Sequence, residues 1–171
     1  MRQLKILSLV IGLSMLAALP AMALAKSDKG MMMSEQHRSQ VAGVVEQLRL
    51  IASQDSNIGE EVSQVAQEQS ATEDDIATDI EKVENRGKWR TFFFGTDYKS
   101  VGALRSAMVT TANHIERLTK AMERTDDQAV KDELQSQITA LEATKTSVES
   151  FITENESKFS LLGWLVKFFN R

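Results

Sequence analysis

Cysteine is absent from the 171 residues, which removes disulfides, thiolate metal sites and thiol catalysis and denies a lipoprotein anchor its acyl acceptor. Packing alone must therefore hold the fold. Histidine is confined to His37 and His114, so near-neutral bases and nitrogen ligands are scarce. Glu116 is too close to His114 to share its helical face. Without a Glu-x-x-His pair the di-iron sites of helical bundles are excluded, and H-E-x-x-H, P-loop and G-x-S-x-G patterns are missing as well. Gly102 and Gly163 stand alone, as helix-packing positions. Cations are not in surplus either: the formal charge is −4, and affinity for nucleic acid needs clustered cations. No catalytic residues, cofactor or metal site are expected, and no nucleic-acid partner.

The one proline, Pro20, belongs to an N-terminal pattern. Arg2 and Lys5 precede an apolar run from Ile6 to Leu19, and the small-residue sites Ala21-Met22-Ala23 and Ala23-Leu24-Ala25 follow. This is the layout of a secretory signal peptide over 1–25, with cleavage expected after Ala25 or, second, after Ala23. The alternative is an uncleaved N-terminal anchor, since Leu4 to Ala25 is long enough to cross a bilayer of roughly 30 Å. Removal of Arg2 and Lys5 takes the formal charge from −4 to −6. The chain is expected to be exported, periplasmic or envelope-associated, and membrane-anchored if the leader is retained. Residues 26–33, polar and Met-rich, read as a flexible linker.

What the sequence has in abundance is helical periodicity. From Ser34 onward Val41, Val44, Leu48, Ile51, Ile58, Val62, Val65, Ile76, Ile80 and Val83 keep one phase almost throughout, interrupted by Asp55, Gln69 and Thr72 and shifted by one position at Asp79 to Ile80. A continuous helix to Asn85 would reach about 75 Å, whereas the turn-forming run Gln54 to Gly59, with Asn57 and Glu60 as a cap, divides it into two. The bend is preferred, although the kept phase argues for continuity. The acids from Glu73 to Glu84 do not follow an EF-hand spacing and read as a solvated face. Asn85-Arg86-Gly87 reads as a helix stop, with glycine free to turn left-handed, and Thr96 or Asp97 as the next cap. Two further stripes follow, one through Val101, Leu104, Met108, Thr111, Ile115, Leu118 and Met122, the other through Val130, Leu134, Ile138, Leu141, Val148, Phe151 and Ile152. Lys145 is the charged interruption in the second. Thr125 and Gln128 fit a capping box between them. The expected fold is all-α: an antiparallel helical bundle or coiled-coil hairpin of three to four helices over 34–157, plus a short C-terminal amphipathic helix over 158–171.

Aromatic residues fall only between Trp89 and Tyr98 or between Phe151 and Phe169. A hairpin of the last two long helices brings both groups to one pole. There the rings either plug the open end of the bundle or meet a partner or lipid headgroups, through Trp89, Phe92, Phe93, Phe94, Tyr98, Trp164, Lys167, Phe168 and Phe169, with Lys88, Arg90 and Arg171 beside them. The C-terminal run is too short to span a bilayer.

Ile58-Gly59-Glu60-Glu61-Val62, Phe94-Gly95-Thr96-Asp97-Tyr98-Lys99 and Gly102-Ala103-Leu104-Arg105-Ser106 together resemble a pattern in uncharacterised exported helical proteins of bacteria. The resemblance covers most of the chain beyond the leader and implies export and helicity, with no activity attached. Two functional expectations result. The first is a non-enzymatic envelope scaffold or adaptor acting through protein contacts or self-association by helix faces. The alternative is a peripheral membrane-binding protein using its aromatic, cationic C-terminal segment.

Overall fold

The computed structural model describes residues 28–157. The leader reading of 1–25 and the amphipathic segment 158–171 lie outside the described residues. Among the described residues five helices succeed one another: α1 (Asp28–Gln54), α2 (Gly59–Asn85), α3 (Lys88–Phe94), α4 (Tyr98–Arg124) and α5 (Gln128–Glu156). No strand occurs among the described residues. The four long helices form a helical bundle in which α1 packs on α2 and α5, and α4 packs on α2 and α5.

The expected stripes are what this packing buries. Val41, Leu48, Ile51, Val62 and Val65 join Leu118, Val130, Leu134 and Leu141 in one apolar cluster. Ile76, Ile80, Val101, Leu104, Met108, Val148, Phe151 and Ile152 form a second. Burying each large aliphatic side chain contributes about 1.5–3 kcal/mol.

The break between α1 and α2 falls at residues 55–58, and its chemistry differs from the expected cap. Ile58 is the N-cap and makes no side-chain cap bond. Asn57 instead donates its backbone N–H to Asp55 Oδ1 at 2.8 Å and its side-chain amide to the Arg124 carbonyl at 2.9 Å. Gly59 is required for closeness, because a Cβ there would lie 2.3 Å from the Ala52 carbonyl oxygen.

The α4–α5 turn also departs from its sequence reading. Asp127, not Thr125, caps α5, accepting from the Ala129 and Val130 amides. Thr125 is buried and donates its hydroxyl to Asp55 Oδ2, so its role is to tie the two inter-helix turns together. Asp97 caps α4 as expected, accepting from the Ser100 amide. Gly87 is not left-handed: its φ is −47°. Gly95, with φ 79°, is the positive-φ glycine among the described residues, and that conformation lets the chain leave α3.

Three further expectations are corrected. α1 starts at Asp28, inside the stretch read as a linker, and Met33 packs on the second cluster. In α5 it is Thr144 that turns into the stripe and is buried, while Lys145 reaches out to Glu149 at 2.7 Å. Glu73 does not sit on a solvated face but is buried.

Ion pairs place the helix ends. Arg38 pairs with Glu81 at 3.3 Å and Arg105 with Glu156, so the start of α1, the end of α2, the start of α4 and the end of α5 share one pole. The Asp55–Asn57 and Thr125–Asp127 turns share the other.

Candidate functional site: an aromatic pole and a polar section of the core

α3 bridges the end of α2 to the start of α4 at the first pole. Three consecutive phenylalanines on one short helix point in directions 100° apart, so a single neighbour cannot cover all of them. Phe92, Phe93 and Phe94 are all exposed, as is Tyr98 on the first turn of α4. Phe92 and Phe93 meet edge to face with centroids 5.3 Å apart. Of the sequence-predicted contact residues these four are brought together. Nothing is described of the Trp89 side chain, and Trp164, Lys167, Phe168 and Phe169 lie outside the described residues. Phe151 belongs to the core instead.

Seven large apolar side chains are exposed among the described residues: Met32, Leu50, Phe92, Phe93, Phe94, Tyr98 and Val109. Five of them crowd this pole, since Met32 lies at the start of α1. The sequence-level signal for the rings was their clustering; Met32 was not separable from its neighbours.

A second arrangement went unread in the sequence. On each long helix a buried polar residue separates the two apolar clusters: His37 on α1, Gln69 and Glu73 on α2, Thr111 and His114 on α4, and Thr144 on α5. His114 Nδ1 lies 2.7 Å from Gln69 Oε1, and its Nε2 lies 3.2 Å from Glu68 Oε2. Arg117 donates to the same Glu68 oxygen and, at 3.1 Å, to Gln64. Thr144 donates to the Ala140 carbonyl at 2.9 Å. His37 Nε2 and Thr111 Oγ1 are buried without a protein partner, each an unsatisfied group of the kind that is costly in a core.

Electrostatics follow from burial. Desolvation, with Asp74 adding to it and Arg38 opposing it, pushes the Glu73 carboxyl up to about 7. Burial, reinforced by Arg38, pulls His37 down to about 4. Burial also draws His114 below its usual range, with Glu68 opposing. Burial pushes Glu68 up, but the Arg117 hydrogen bond and charge and the His114 contact hold it below the usual carboxylate range. The sequence signal for this section was register: His37 lies four residues before Val41, Glu73 three before Ile76, and Thr144 three after Leu141, so each falls on the buried stripe.

Between α4 and α5 runs an open groove of about 550 Å³ floored by Met108, Val109, Ala112 and Ile152, with Arg105, Asn113, Lys145 and Glu149 on its rim. Among the described residues no helix is long and apolar enough to cross a membrane, and no three metal-type side chains gather as a site. Comparison with protein-family models, curated proteins and solved structures finds no match, so what this chain does has to be read from its residues alone.

Proposed function

We propose that this chain is a non-enzymatic, exported scaffold or adaptor of the cell envelope, an antiparallel four-helix bundle that acts by protein–protein contact along the α4–α5 face. The observation that carries the reading is the open groove there: its floor is apolar, Val109 is 63 % exposed, and its rim carries charges of both signs. An amphipathic helix fits such a surface, laying apolar anchors on the floor and complementary charges on the rim. Export is supported by the leader pattern of residues 1–25 and by the resemblance to exported helical proteins.

Val109→Glu tests the groove. Because Val109 is exposed, the variant folds like the parent in thermal melts, while crosslinked protein or self-association products recovered from envelope extracts fall at least tenfold. Undiminished recovery with V109E removes the groove as the contact face. Detection of the leader on the mature chain by mass spectrometry would replace free export with anchoring.

A further inference from the structure

We infer that the aromatic pole is a membrane-surface contact, seating the bundle on a bilayer that contains anionic lipid. Three observations converge there. The exposed large apolar groups are polarised: Met32, Phe92, Phe94 and Tyr98 lie at one end of the molecule, while Leu50 and Val109 stand apart from them. The segment that carries the rings is itself locally cationic. Between Arg86 and Lys99 the chain carries the cations Arg86, Lys88, Arg90 and Lys99 against the single acid Asp97, in a chain whose formal charge is −4. That acid is engaged, because Asp97 holds the Ser100 amide and lies 3.7 Å from Arg86. Arg90 and Lys99, both exposed, thus flank the rings with outward positive charge.

The choice of lipid over protein rests on this combination. Rings presented in several directions from a short helix suit a headgroup layer, which receives them at any azimuth, better than a protein pocket, which needs one orientation. Flanking cations add attraction specific to anionic headgroups. The seven-residue α3 is far too short to insert across the membrane, so the contact is interfacial and the bundle stands on its pole.

The absence of cysteine makes a direct test clean. A dansyl label is placed on Tyr98→Cys at the aromatic pole or on Asp126→Cys at the opposite pole of the full chain. Vesicles of phosphatidylcholine with phosphatidylglycerol should shift the Tyr98 label to the blue and leave the Asp126 label unchanged. The double variant F92S/F94S, exposed and so neutral for folding by thermal melt, should bind these vesicles at least tenfold more weakly. R90E/K99E should lose the preference for phosphatidylglycerol over pure phosphatidylcholine. Equal shifts of both labels, no shift of either, or unchanged binding of F92S/F94S would overturn the inference. So would binding that depends only on W164A/F168A, which assigns the contact to the terminal segment alone. Capture of an envelope protein through the rings without vesicle binding also overturns it.

Discussion

Glu73 and His37 lie one helix apart in the core and answer acid in opposite senses. Glu73, held near 7 against an ordinary 4.5, is favoured in the fold only when protonated; the stability it permits is complete below pH 4.5 and is lost as pH rises through 7. His37, held near 4 against 6.5, is favoured when neutral; its stability is complete above pH 6.5 and is lost as pH falls toward 4. The expected outcome for Glu73→Gln is a gain on the order of 2 kcal/mol at pH 8 that vanishes by pH 4.5, read from urea midpoints. For His37→Leu the parent's loss on acidification between pH 6.5 and 4 should shrink, leaving only the part that His114, also held below its usual range by burial, contributes against the Glu73 gain. An E73Q profile parallel to the parent's would contradict the assignment. Neither residue stood out in the sequence, because an acid beside five other acids and a lone histidine read as surface until the register of the stripe is imposed on them.

At the scale of elements, the sequence disclosed the helices and where they break, because helical periodicity spans many residues and averages out local noise. Cap chemistry was less legible. Thr125 with Gln128 satisfies a capping-box pattern, yet Asp127 takes the cap because Thr125 is claimed by Asp55 across the pole, a tertiary contact that no local pattern encodes. The α1–α2 turn shows the same limit: Asn57 spends its side chain on the Arg124 carbonyl. Two glycines separate the local from the tertiary effect. Gly59→Ala drives a methyl against the Ala52 carbonyl and should cost about 2 kcal/mol or more in denaturant unfolding. Gly43→Ala meets nothing within 4 Å and should add about 0.5–1 kcal/mol, since it only removes backbone freedom inside a helix. Equal effects at the two sites would show that the turn relaxes easily.

Across the whole molecule, the polar section between the two apolar clusters is a register device. Apolar stripes of uniform character can slide past one another by a turn, whereas the bond from His114 to Gln69 is satisfied in one alignment. Gln69→Leu should cost about 1–3 kcal/mol by stranding the imidazole, and Q69L/H114L should recover most of that loss while broadening the amide spectrum as alternative alignments become populated. A double variant as costly as the sum of its parts would dismiss the coupling. The candidate pole was legible as a cluster of rings, because clustering is visible in one dimension. The exposure of those rings and the company of Met32 were not, since both depend on which helix ends meet. That meeting of ends has a mechanical consequence. α1 begins and α5 finishes at the same pole while lying side by side, so tension applied through the two ends parts them turn by turn from that pole, like a zip. It never loads all the contacts at once, and the bundle should yield to a pull far more readily than its thermal stability suggests.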